Sequence, residues 1–470
     1  MRAGRRVGVL TGAVAVLGLS LTACSSGSGG GSAPGVTKTE IKVGALATVT
    51  GPLSSGFGEI VDGVRAYFDM VNAQGGVDGR QLVLSNVAND TGSPTVDTQV
   101  ARNLVEQDHV FAIVGVGTPF FTASSYLAKS GTPTFGEVVS NNWSNAPNLF
   151  GTYGSVLNYS TNGTSVAWMA SQVGATRAAV VAYRGVAQSD AACKADAAAL
   201  QKFGVNVAVA DYNYPLGGGN PDADVFRMAG SKVQLLVTCL QGPDNLAFAK
   251  VMKQYHLGST ASLWLDGYSR ATVSANAAAM EHVYFLFQHV PFEAVDQYPT
   301  KYPGMVSYVQ AMQKYEPAWI YDDTALQGWI NAAQFVAGLR AVGHAPLTQQ
   351  ALVSAINTET AFTAGGLMPP LDWRTSHTQA LPPYCSGFAE AYHGHTVPAL
   401  VRQGGQLLTC FTATSDKPIT SPPGTPGTPG TPGTPSTSGT PTTPGRSGTP
   451  VTPGRSGTPV RSSGGASSGG

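Results

Sequence analysis

Charged residues are scarce in this chain. Asp, Glu, Lys and Arg make up 11% of its 470 residues, with 27 basic residues against 27 acidic ones. Six of the basic residues sit at the ends: Arg2, Arg5 and Arg6 before residue 24, and Arg446, Arg455 and Arg461 beyond Pro418. The middle therefore holds 21 basic against 27 acidic residues, a net −6, which argues against nucleic acid as a partner. Long apolar runs are missing too, and past the N-terminus no stretch of about 18 uninterrupted apolar residues offers a membrane crossing. Cysteine is sparse, five residues in all, and none has CxxC or CxxH spacing, so no metal site is expected. The middle of the chain has no Gly-x-Ser-x-Gly elbow, and the whole chain has no His-Glu-x-x-His pair and no Gly-x-x-x-x-Gly-Lys phosphate loop. An enzyme reading thus rests on nothing positive, and no cofactor is implied. His393-Gly394-His395 falls in a terminal hairpin, where such a pair is more often exposed than metal-bound. Asp322-Asp323 opens a helix carrying Leu326, Ile330, Ala333 and Ala337, so capping accounts for it better than paired-acid catalysis.

Both ends differ in kind from the middle. Residues 1–23 have a basic start, a mainly apolar run from Val7 to Leu21 and then small residues, the pattern of an export signal. Leu21-Thr22-Ala23-Cys24 resembles a bacterial lipobox, which implies cleavage before Cys24, lipidation of its thiol and a lipid-anchored protein on the extracytoplasmic face of the cell membrane. Residues 24–35 then read as a flexible tether. At the far end, residues 414–470 are rich in Pro, Thr, Gly and Ser, and Thr443–Val451 recurs residue for residue as Thr452–Val460. With almost nothing apolar to bury, this tail is expected to be disordered, either a wall-spanning or glycosylated spacer or a passive extension. Setting Cys24 aside leaves Cys193, Cys239, Cys385 and Cys410, an even number in an oxidising compartment. Of the three connectivities we favour Cys385 with Cys410, which flank the terminal hairpin, and Cys193 with Cys239.

From about Val36 to Ala413 short β-branched runs alternate with helical patterns. Ile41–Leu46 reads as a strand, and Val61, Val64, Phe68 and Val71 share one helical face that ends at Gly75-Gly76. Strand Leu82–Asn86, a helix carrying Val96, Val100 and Leu104, and strand Val110–Val114 complete a βαβ succession. A second set has strands near Ala178–Tyr183, Val205–Ala210, Val233–Thr238 and Ser262–Leu265. The expected fold is α/β, two doubly wound parallel-sheet lobes. In such sheets ligands bind beyond the carboxyl ends of the strands. The loops there include 48–57, 89–91, 115–121 and 136–140 in the first lobe, and 183–190, 241–244 and 266–269 in the second.

Ile41-Lys42-Val43-Gly44 followed by Thr50-Gly51-Pro52-Leu53, the run Val71-Asn72-Ala73-Gln74-Gly75-Gly76-Val77-Asp78-Gly79-Arg80, and Ile113-Val114-Gly115 give the chain its resemblance to a known family. It resembles type I periplasmic substrate-binding proteins of ABC importers, in the leucine/isoleucine/valine-binding class. The resemblance implies three crossovers between lobes, near Phe150–Gly154, Phe287–Phe292 and Pro369–Thr375. Lobe 1 would combine 36–152 with 291–370, and lobe 2 would combine 153–290 with 371–413. It also implies a small-molecule solute, an amino acid or a related carboxylate or amide, and ABC permease subunits as partners of a monomeric binding protein. A ligand-sensing receptor is the alternative, and a cell-envelope enzyme the weaker third.

Carried over position by position, the family's ligand contacts fall on ten residues. Thr118 would replace a hydroxyl donor whose place Pro119 occupies, and Pro119 also removes an amide donor. Val138-Val139-Ser140 matches a small-small-hydroxyl segment, in which Ser140 either donates to a ligand carboxylate or caps the next turn. Gln188 stands where an aromatic is common, Gln241 lies on a cleft loop, and Asp266 stands where a carboxylate meets a ligand ammonium. Phe57 and Tyr268 either wall the pocket or pack within a lobe.

Overall fold

Alternating apolar runs of Val, Ile, Ala and Leu give each sheet a nearly continuous buried layer, as expected for parallel strands covered on both faces. The computed structural model describes residues 33–419, except 52, 158, 381–383, 413, 414 and 416. The export signal, Cys24, most of the tether and nearly all of the Pro/Thr/Gly/Ser-rich tail lie outside the described residues.

The first sheet contains β1 (Glu40–Ala47), β2 (Gln81–Asn89), β3 (Ala112–Gly117), β4 (Thr134–Gly136) and β5 (Leu149–Gly151), all parallel, in the order β2-β1-β3-β4-β5. The second contains β6 (Arg177–Tyr183), β7 (Asn206–Tyr214), β8 (Leu235–Cys239), β9 (Ala261–Trp264) and β10 (Val283–Phe287), parallel among themselves. The antiparallel strands β11 (Tyr384–Tyr392), β12 (His395–Pro398) and β13 (Leu408–Phe411) extend this sheet past β10. Strand positions agree with the periodicity to within a few residues. β7, expected to end at Ala210, runs on to Tyr214, and the third strand, expected from Val110, begins its ladder to β1 at Ala112. Val110 and Phe111 are equally apolar and buried, so hydrophobicity alone does not mark where the ladder begins.

The chain passes between the sheets three times, and the crossing segments hydrogen-bond to their neighbours in pairs. The Ser155 amide donates to the Ser376 carbonyl at 2.9 Å, and the Val290 amide donates to the Leu367 carbonyl at 2.8 Å. Disulfides join Cys193 to Cys239 and Cys385 to Cys410. The second pair sits at directly opposed positions of β11 and β13. Among the described residues no helix is long and apolar enough to cross a membrane.

The helix Ile60–Ala73 crosses the helix Asp323–Val342 at two glycines. A Cβ on Gly63 would lie 1.8 Å from the Ala325 carbonyl oxygen, and one on Gly328 would lie 1.8 Å from that of Ile60. Only glycine admits backbones this close. This crossing holds the start of the long helix, and with it Asp322 and Asp323, against the first sheet. Gly328→Ala is expected to lower stability by about 3 kcal/mol, the upper part of the range for overpacking a core, read as a reduced urea midpoint with unchanged slope. An unchanged midpoint would show that the crossing has slack.

Candidate functional site

The carboxyl ends of the strands of both sheets face one cleft, and at its hinge end lies a cavity of about 210 Å³. Glu137, Asp323 and Gln327 line it from the first sheet's side, Leu265 and Leu286 from the second, and Tyr153 and Gln288 from the crossing segments. The volume lies below the roughly 300–1,000 Å³ of pockets for drug-sized ligands, so it suits a small solute.

Glu137 is positioned by its backbone. It follows β4 directly, and its amide donates to the Val116 carbonyl at 2.9 Å. Its Oε2 is buried without a hydrogen-bond partner among the described residues, as is the Tyr153 hydroxyl. Loss of water pushes the Glu137 carboxyl up to about 8, and the nearby Asp323, Asp266 and Asp322 add to the rise while Gln327 opposes it. Asp322 caps the long helix by accepting from the Ala325 amide at 2.8 Å. It is also held well above the usual carboxylate range, by burial first and then by Glu59, Asp323 and Asp266. Asp323 meets Nε2 of the fully buried His289, whose Nδ1 faces the Val290 carbonyl at 2.7 Å.

Asp266 is exposed, but to the cleft. Desolvation by the surrounding protein raises its carboxyl to about 7, and Asp323 and Glu59 raise it further against the opposing Gly267 amide. Across from it stands the turn at Ser54–Gly56, where a Cβ on Gly56 would lie 2.9 Å from Gln241 Nε2 and 4.0 Å from Asp266 Oδ2. The two lobes therefore approach closely at this point.

Of the ten residues singled out in the sequence, Val138 lines the cavity, and Gln241 and Asp266, both from the second sheet's side, approach Gly56 across the cleft. Pro119 and Val139 are buried, and Gln188 is half-buried in the first turn of the helix Ala187–Lys202. Phe57 is buried, its carbonyl packed against Gly117. Ser140 accepts from the Asn142 amide at 3.4 Å, the turn-capping role. The Thr118 hydroxyl donates to Asp90, which also accepts from the Thr48 hydroxyl at 2.5 Å and the Gly92 amide at 3.0 Å. Asp90 thus ties the ends of β1, β2 and β3 together and occupies the hydroxyl. Tyr268 stands apart from the cavity: it stacks on Phe292, edges onto Phe285 and Phe287, and donates to Glu293 at 2.5 Å.

Sequence reasoning passed over Glu137, Tyr153 and Gln327, and read Asp323 only as part of a helix cap. The available signal was position: Glu137 directly follows a strand on a loop already placed at the cleft.

Two doubly wound lobes joined by three crossings, with the strand ends facing a shared cavity, define a type I periplasmic binding protein. The chain belongs to the periplasmic binding protein family, whose model matches residues 40–390. This is a family of binding proteins, not enzymes, and it places the chain outside the cytoplasm. Among solved structures, the chain is similar to a fatty acid ABC transporter substrate-binding protein from Thermomonospora curvata. They share 18% identity and a TM-score of 0.64, over 81% of this chain and 94% of that one. A solute binding protein from R. palustris in complex with benzoate matches at 17% identity and a TM-score of 0.63, over 79% and 98% of the two chains. A leucine binding protein from Thermotoga maritima MSB8 matches at 13% identity and 0.61, over 76% and 97%. These likenesses establish the fold. No curated protein sequence matches the chain.

The raised carboxyls set a sign for stability against pH. A carboxyl whose pKa is higher folded than unfolded keeps its proton in the native state while the unfolded chain has lost it, so stability falls as pH rises between the two values. For Glu137 that window runs from about 4.5 to about 8. Asp196, also raised to about 8 by burial, acts in the same direction. His377, lowered to about 4 by burial, acts in the opposite one, losing stability as pH falls. The comparison with Glu137→Gln isolates the first contribution. The melting temperature of the variant relative to wild type is expected to rise steadily from pH 5 to pH 8.5, and a flat difference would place Glu137 in ordinary solvent.

Proposed function

We propose that this protein captures a small solute in the cavity between its two lobes and presents it to the permease subunits of an ABC importer, while a lipid on Cys24 holds it to the outer face of the bacterial cell membrane. The lobes in this reading are residues 36–152 with 291–370 and residues 153–290 with 371–413, acting as a monomer. The observation that carries it is the cavity lined at once from both sheets and from the crossing segments. A solute there touches both lobes only when they are closed, so binding selects the closed state. Micromolar affinity needs about −8 kcal/mol, which a few charge-assisted bonds and the burial of a small apolar body supply. The solute is of amino-acid size, an amino acid or a related amide or carboxylate, because a long acyl chain exceeds the space.

A solute that binds only the native state raises its melting temperature. A thermal-shift screen of residues 36–413 against amino acids, their amides, amines and small aromatic acids is expected to give at least one shift that Leu286→Trp removes, since the indole fills the cavity. A shift that survives Leu286→Trp would put the solute elsewhere. For the anchor, Cys24→Ala is expected to move the full chain from the membrane fraction to the soluble extracytoplasmic fraction, and continued membrane association would reject lipidation at this residue.

A further inference from the structure

The cavity has an excess of acid with nothing on its walls to balance it. None of the described residues lining it is Lys, Arg or His. Glu137 shares the cavity wall with Asp323, and its carboxyl also feels the charges of Asp266, from the loop after β9, and of Asp322, at the start of the long helix. Gln327 from that helix, Tyr153 from the first crossing and Tyr159 from the helix Tyr159–Gln172 complete its surroundings. His289, which lies outside the lining, is turned to Asp323.

A second observation points to a missing partner. The Glu137 Oε2 and Tyr153 Oη atoms are buried without a hydrogen bond among the described residues, and both residues line the cavity. Leaving a buried acceptor unpaired costs about 1–3 kcal/mol, more when it is charged. The neighbouring loops also tell against an anionic solute. Pro119 has no amide proton to give, the Thr118 hydroxyl is spent on Asp90, and Glu137 itself follows the strand where donors to a carboxylate would be needed.

We infer that the solute is a compact organic cation, such as a primary amine, amidine or guanidinium compound of amino-acid size without a free carboxylate, and that Glu137 on the cavity wall supplies its counter-charge, with Asp266 adding attraction from outside the lining. This rests on the reading of the interlobe cavity as the solute site. Leu265, Leu286 and Phe287 on the opposite wall receive the apolar body while the cationic end meets Glu137. Binding a cation favours the ionised carboxyl, so protons leave on binding. A carboxylate solute requires the protonated carboxyl as donor, so protons are taken up or held.

The test is calorimetry at pH 7 in two buffers of different ionisation enthalpy, with matched probes: leucinamide against leucine, isoamylamine against isocaproate, and agmatine. The amines and the amide are expected to bind at least tenfold tighter than their carboxylate counterparts. With the Glu137 carboxyl at about 8 in the free protein, about one proton is released per cation bound at pH 7. Glu137→Gln is expected to weaken cation binding at least tenfold and abolish the release, while its melting temperature without solute stays at or above that of wild type. Asp266→Asn serves as a second variant with a smaller loss. Tighter binding of leucine or isocaproate, or proton uptake, overturns the cationic assignment while leaving the cavity reading intact if Leu286→Trp still removes binding. Cation binding that both Glu137→Gln and Leu286→Trp leave unchanged overturns the cavity reading itself. Silence from every amine probe overturns the inference.

Discussion

Holding a carboxyl out of water beside other carboxyls is costly, and the cleft of this protein is arranged around that cost. At an effective dielectric of about 20, two unit charges about 6 Å apart repel by roughly 3 kcal/mol. Backbone bonds hold the carboxyls of Asp322 and Asp266 in place and pin the main chain from which the Glu137 side chain starts. Glu137 is anchored to β3 through its amide, Asp322 caps the long helix, and Asp266 bonds the amide of Gly267. The site therefore responds by keeping protons near neutrality. A pocket in that condition has affinity in reserve for whatever brings a compensating charge.

The scaffold makes this arrangement possible. Parallel strands direct their carboxyl ends the same way, so the loops of each lobe collect along one edge. Three hydrogen-bonded crossings then set the two edges against each other. The close crossing at Gly63 and Gly328 delivers the start of the long helix to the same place. Asp90 does comparable work on the first lobe, gathering β1, β2 and β3 through Thr48 and Thr118. Its effect on function is indirect: it takes up the hydroxyl that a carboxylate-binding cleft would keep free.

Much of the fold is legible in the sequence because it depends on local regularities: β-branched strands, one-faced helices and glycines that end them. The favoured cysteine pairing was legible for the same reason, since Cys385 and Cys410 bracket a hairpin. The site is legible only in part. Gln241 and Asp266 follow strands in the second lobe, and their place at the cleft follows from topology. Glu137 also follows a strand, but a lone glutamate reads as a surface residue until the opposite lobe and the long helix enclose it. Asp322 and Asp323 read as a cap, which is correct for Asp322, whereas the role of Asp323 depends on His289, 34 residues away in sequence. Thr118 shows the converse: its hydroxyl was visible, but its partner lies 28 residues earlier. Charges and hydroxyls can be counted in a sequence, yet their partners are decided by packing.

The central claim is that Glu137 is held out of water with no counter-charge of its own. A carbon-13 carboxyl titration of Glu137, in protein labelled at glutamate, tests it most directly, with Glu137→Gln providing the assignment. The account predicts a midpoint near 8 in the free protein, falling by at least two units once the cleft is filled by the solute it selects. A midpoint near 4.5 in the free protein would contradict it, because the carboxyl would then be an ordinary solvated acid and the cleft would have no charge to satisfy.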